Sequence, residues 1–266
     1  DAVYVTTPIP SHFPIARIIY SKEVSRNLFI EKTLGSSYDE ARELCELAHH
    51  YRGVNMVGYM RRFAVTFRKV KELLSNDAIG EVLFFKAYAY SSDFSGIKDK
   101  LGIHPSEVGV IRDLGCHALD LALWLFGDLQ VESAKLESLV GSSAEDSAYF
   151  RVKNSRQLEG EFSVSWCIEN YRVPEVGFSI DGEKGVLEVN DDKLQLKLKG
   201  KKMLTWYRHD LHDNVTFWLG GPEFFREDEH FVKSVIAGRN AEPSFETASK
   251  VDKIIDDIRK RAGANE

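Results

Sequence analysis

The sequence predicts an α/β protein in which a partial parallel sheet is followed by an α+β domain with a large, mostly antiparallel open sheet. Three observations support this. Residues 1–60 alternate short apolar runs with amphipathic helical stretches, the pattern of parallel strands with crossover helices. From residue 81 onward, strand-like runs follow one another across hairpin-type turns. Two helical blocks then close the chain.

In order, the first domain (residues 1–60) reads as strand Ala2 to Val5, helix Pro14 to Lys22, strand Leu28 to Ile30, helix Tyr38 to Tyr51 and strand Val54 to Tyr59. For the second helix, Ser36 or Ser37 can cap the N-terminus, and Asp39 and Glu40 suit its positive end. Ala41, Leu44, Cys45 and Ala48 supply its apolar stripe. The second domain (residues 61–266) begins with an amphipathic segment, Phe67, Val70, Leu73 and Leu74, that ends near Asn76. Strands are expected at Glu81 to Tyr90, Val131 to Leu139, Ser147 to Val152, Leu158 to Trp166, Val176 to Ile180, Val186 to Val189 and Leu194 to Leu198. Turns at Asp181 to Gly185 and Asn190 to Asp192 would join several of them. The closing helices, Glu223 to Ile236 and Phe245 to Ala262, are expected to cover one side of the large sheet, leaving the other to water or a second subunit.

Composition narrows the function. At 43% hydrophobic and 29% charged, the chain is built to fold rather than to stay disordered. A net charge of -6 argues against a nucleic-acid partner, which rewards clustered positive charge. The longest apolar stretch, Ala118 to Phe126, is interrupted by Asp120 and is far short of a membrane span, so a membrane partner is not expected either. Cys45, Cys116 and Cys167 are scattered and odd in number, which suggests no disulfide framework and no metal site and fits a cytoplasmic setting. The chain opens at Asp1 directly into a strand, so further residues are expected upstream.

Three local patterns carry chemistry. Thr7-Pro8 with His12 follows the first strand, Glu31-Lys32 follows the second, and Asp113-Leu114-Gly115-Cys116-His117 runs into Asp120 at the start of an apolar helix. Groups just past the carboxyl ends of parallel strands face the crevice where ligands bind. A lysine there can favour a developing alkoxide, with the neighbouring carboxylate holding its amine. Asp113 and His117 stand four apart, which suits a carboxylate that fixes the tautomer of a proton-transferring imidazole. The same spacing also suits a helix cap followed by a packed core histidine. Trp206-Tyr207-Arg208-His209, with His212 and Trp218, could line a sugar site but reads more readily as edge-strand packing.

Taken together, Thr7-Pro8 with His12, Glu31-Lys32, Val57 to Phe63, Ile79-Gly80-Glu81-Val82, and Asp113 to His117 with Asp120 resemble the glucose-fructose oxidoreductase / inositol dehydrogenase (Gfo/Idh/MocA) family. The resemblance implies a Rossmann domain binding NAD or NADP, followed by a substrate domain whose open sheet often forms a homodimer or homotetramer interface. It implies a dehydrogenase acting on a sugar or polyol, with Lys32 at the reacting hydroxyl, His117 as acid/base and Asp113 positioning both. Thr7, Pro8, His12 and Glu31 would border the cofactor, and Met60 and Arg61 the nicotinamide or substrate. The family's Glu-Lys-Pro is Glu31-Lys32-Thr33 here, the glycine-rich approach to the Asp is reduced to Glu107-Val108-Gly109, and no Gly-x-Gly-x-x-Gly turn occurs. The alternative is a catalytically silent sugar-binding or scaffold relative.

Overall fold

A computed structural model of the chain describes residues 1–92, 108–139, 144–215 and 221–264. Strands β1 (Val3–Val5), β2 (Leu28–Glu31) and β3 (Asn55–Gly58) form a parallel sheet in that order, with Val5 beside Ile30 and Ile30 beside Val57. Helices α1 (His12–Ser21) and α2 (Tyr38–Tyr51) are the crossovers. Ser37, rather than Ser36, caps α2: its hydroxyl accepts from Glu40 N at 3.3 Å, and the Glu40 carboxylate accepts from Ser36 N at 2.7 Å.

After α3 (Val65–Ser75) comes β4 (Val82–Tyr90), then a wide π-type turn (Ile111–Gly115) leading into α4 (Cys116–Phe126). Seven further strands follow: β5 (Leu129–Glu137), β6 (Ser147–Asn154), β7 (Glu159–Ser165), β8 (Glu175–Gly182), β9 (Gly185–Asn190), β10 (Lys193–Leu198) and β11 (Leu204–Tyr207). With β4 they form one sheet in the order β11-β10-β9-β8-β4-β7-β6-β5. All pairs are antiparallel except β4 with β7. The two predicted turns do join β8 to β9 and β9 to β10. Trp206 and Tyr207 lie on edge strand β11, and Arg208, His209 and the turn at His212 continue from it, while Trp218 lies outside the described residues.

Of the last two helices, α6 (Phe245–Gly263) packs against β5 of the large sheet as expected, whereas α5 (Pro222–Ala237) departs from expectation. Rather than lying on the large sheet, α5 packs on the small one, where Phe231 joins Phe29, Val54, Met56 and Ala241 and meets Tyr4 edge-on at 5.3 Å. The reason lies in β2. Leu28, Phe29 and Ile30 are all buried, so the strand is apolar on both faces and needs cover on each. Leu28 and Ile30 face the core under α1 and α2, which leaves Phe29 for α5. Helix α6 buries Ala248, Val251, Ile254, Ile255 and Ile258 in a core that runs unbroken from the small sheet to the large one.

Gly160 in β7 is cross-strand from Phe85 of β4, and a Cβ there would stand 2.1 Å from the Phe85 ring. That ring stacks on Phe126 at 4.4 Å and cannot retreat. Gly160→Ala is expected to destabilise the protein by about 1–3 kcal/mol. A lower denaturation midpoint, partly restored by adding Phe85→Leu, is the measurable outcome.

Candidate active site

Lys32 leaves the carboxyl end of β2 in a turn held from behind by His12. The His12 ring is fully buried, with Nδ1 2.7 Å from Thr33 O and Nε2 2.7 Å from Thr7 O. It therefore ties the Thr7-Pro8 turn to the Lys32-Thr33 turn and lies behind the cleft wall. The Lys32–Thr33 peptide is cis, and Thr33 Oγ1 donates to Gly35 O at 2.9 Å.

The turn Ile111–Gly115, which leads into α4, brings Asp113 to meet Lys32. Gly109 leads into it at φ +75°, a backbone conformation that favours glycine. Glu107 lies outside the described residues. Lys32 Nζ donates to Asp113 Oδ1 at 2.8 Å and to Asp113 O at 2.5 Å. Thr7, Pro8, Glu31, Lys32, Val108 and Asp113 line a cavity of about 450 Å³ at this junction. Burial works against the charged amine, but Cys116 and Asp113 outweigh it and hold Lys32 above its usual range. Burial pushes the Cys116 thiol up to about 12, so at neutral pH Asp113 is the charge that matters.

The expected carboxylate-imidazole pair does not form. Asp113 is engaged by Lys32, and Asp120 accepts two bonds from Arg62, at 2.8 and 2.7 Å. A full positive charge binds a carboxylate more strongly than a neutral ring does, and both carboxylates have one in reach. His117 is buried, its Nδ1 has no partner, and the Tyr59 ring stands edge-on to it at 6.2 Å. Burial, with the charges of Arg61 and Lys32, depresses its pKa well below the ordinary value, so it is neutral at pH 7.

Two other expectations need correction. The Glu31 side chain does not hold the Lys32 amine; its Oε2 accepts from Lys32 N at 3.3 Å, and burial raises its pKa. Arg61 is not free for a substrate. Its guanidinium bonds Asp191 at 2.9 and 3.2 Å and Pro174 O at 3.1 Å, with Met60 Sδ beside it at 4.0 Å. These contacts engage three of its five donors with oxygen, so the group is held in place.

Sequence reasoning missed Arg112 and Glu227, both buried. Arg112 could have been found as the only charge in the apolar run Val108 to Leu114 besides Asp113. Glu227 sits in an acidic stretch of α5 that reads as a solvated helix face, so nothing in the sequence marked it.

The depressed His117 pKa links stability to pH. Below about pH 6.5 the unfolded imidazole takes up a proton that the folded one refuses, so stability falls as pH falls. Lowering the pH from 7.5 to 5.5 should cost stability through this one group. Urea midpoints at both pH values should therefore differ less in His117→Gln than in the unmodified protein.

A small parallel sheet joined to a large open one, with a lysine–aspartate contact at the junction, defines the class: a two-sheet α/β protein with a cleft between its sheets. Residues 67–188 match the GFO/IDH/MocA C-terminal domain, which supports the expected likeness to the Gfo/Idh/MocA family over that part of the chain. It is 29% identical over 241 residues to the uncharacterized oxidoreductase YdgJ of Escherichia coli, covering 85% of this chain and 65% of that protein. It is 28% identical over 132 residues to scyllo-inositol 2-dehydrogenase (NAD(+)) of Bacillus subtilis, covering 48% and 35%. Levoglucosan dehydrogenase in complex with NADH and levoglucosan shares the fold, with a TM-score of 0.88 at 20% identity over 100% of this chain and 78% of that one. The chain thus spans about two thirds or less of the length of these two curated relatives. Among the described residues, no helix is long and apolar enough to cross a membrane, and no cluster of His, Cys, Asp and Glu could hold a metal ion.

Proposed function

We propose that at its native length this protein is an NAD- or NADP-dependent dehydrogenase acting on the carbinol carbon of a sugar or polyol. One observation carries the reading: an amine from the first sheet meets a carboxylate from the second domain at 2.8 Å, with a neutral buried histidine one helical turn further on. The names of the relatives, an inositol dehydrogenase and D-apiose dehydrogenase among them, support the substrate class.

The cavity walls fit the nicotinamide end of a dinucleotide, because Thr7 and Pro8 lie just past the carboxyl end of β1 and Glu31 lies at that of β2. The sequence carries no glycine-rich turn to grip a pyrophosphate. When bound, the nicotinamide supplies the hydride acceptor. Lys32 Nζ holds the substrate oxygen and favours its alkoxide, and Asp113 fixes the amine and the hydroxyl. His117 takes the hydroxyl proton. Its Nδ1 is sealed from solvent, which leaves Nε2 for that role. We further propose that a second copy covers the open sheet face, where Tyr88, Tyr90 and Tyr171 cluster. Sedimentation as a monomer would remove that part of the reading.

Cofactor titration and nicotinamide reduction with a panel of polyols test the function. Lys32→Met and His117→Asn should each lower kcat/KM by about 10²–10⁴-fold. Full turnover in both variants would overturn the assignment, and binding of neither NAD nor NADP would favour the silent relative.

A further inference from the structure

Arg112 precedes the aspartate that holds Lys32, and its side chain is completely buried. A guanidinium stays charged in a protein, so a buried one needs partners for most of its donors; here Nε has none, and the two Nη groups make all the bonds. Nη1 donates to Asp252 Oδ1 at 2.5 Å and to Gly35 O at 2.7 Å, with Thr33 Oγ1 at 3.4 Å. Nη2 donates to Asp256 Oδ1 at 2.9 Å, and the other Asp256 oxygen accepts from Tyr38 N at 2.8 Å. One planar fork therefore joins three segments: the turn that carries Lys32, the turn that carries Asp113, and helix α6.

The two ends of the Lys32–Asp113 contact are one residue from groups held by this fork. Thr33 follows Lys32 and is held by Arg112 on one side and by His12, through its carbonyl, on the other. Asp113 follows Arg112 itself. The fork's direct partners on the Lys32 side are a carbonyl and a hydroxyl, which are sensitive to position as well as charge. Asp252 and Asp256 anchor the fork to a helix that also packs against α2 and α4, giving it a rigid reference.

We propose that Arg112 is a positioning residue, which sets the span across which the Lys32 amine meets Asp113 and hence where a substrate oxygen is held. This rests on the reading of Lys32 and Asp113 as the substrate end of the site. A lysine at 112 cannot reproduce the fork, since a single ammonium lacks the planar spread that reaches carbonyl and both carboxylates together. Displacing a reacting group by about 1 Å costs up to about 10²-fold in rate.

The test uses native-length protein with Arg112→Lys, and Asp256→Asn as a milder change at a partly exposed partner should Arg112→Lys not fold. Lysines are reductively methylated with ¹³C, the Lys32 signal is assigned by Lys32→Arg, and its titration is followed by NMR alongside kcat, KM and their pH profiles. The expected result is a Lys32 titration that moves downward as Asp113 loses contact. It should be accompanied by a fall in kcat of about 10- to 100-fold with KM changing much less, and by a pH profile that moves with Lys32. Asp256→Asn should move each quantity in the same direction by less. Folded variants with the unmodified protein's Lys32 titration, kcat and pH profile would overturn the proposal, because a purely structural fork would lower stability alone. If the unmodified protein turns over no polyol, the dehydrogenase reading fails, and the Lys32 titration still decides whether Arg112 sets the amine.

Discussion

The contact between Lys32 and Asp113 joins residues 81 positions apart in the chain, and the architecture around it is arranged to hold two charges in a half-buried place. Each must reach its partner because neither can be withdrawn from water alone. Around this contact the same requirement is met three more times: Arg112 by Asp252 and Asp256, Arg62 by Asp120, and Arg61 by Asp191. These arginines come from segments next to the cleft, and each finds its carboxylate at least 58 residues away. Such pairs add little to stability when compared with apolar replacements, but breaking one strands a buried charge at a cost of about 3–5 kcal/mol. They therefore specify how the two sheets meet more than they strengthen the fold.

The seam also shapes the chemistry. Burial first, and then the charges of Arg61 and Lys32, keep the His117 imidazole neutral. A neutral imidazole can accept a proton, whereas one paired with a carboxylate would be more easily charged beforehand. By taking Asp120, Arg62 indirectly keeps that carboxylate from the ring.

Much of the fold was legible because it depends on local periodicity. Helix α2 announced itself through Ser37, Asp39, Glu40 and the stripe of Ala41, Leu44 and Ala48, all features within one segment. The hairpins at Gly182 to Gly185 and Asn190 to Lys193 were legible through turn chemistry. Helix α5 was misplaced because an amphipathic pattern says that a face is buried without saying against what. The parallel pairing of β4 with β7 was invisible for a similar reason, since strand order depends on contacts between distant segments.

At the site, residue types and their order marked Lys32, Asp113 and His117 as candidates, because amine, carboxylate and imidazole are chemical properties that spacing can hint at. Pairing was decided only by tertiary structure. Spacing along a helix suggested that His117 would take a neighbouring carboxylate, yet folding brought Lys32 and Arg62 close enough to claim both. The sequence by itself determined which groups could do chemistry and the class of architecture that would carry them. Which charge meets which depended on the three-dimensional approach of segments far apart in the chain, where the stronger electrostatic partner wins and desolvation penalises any left over.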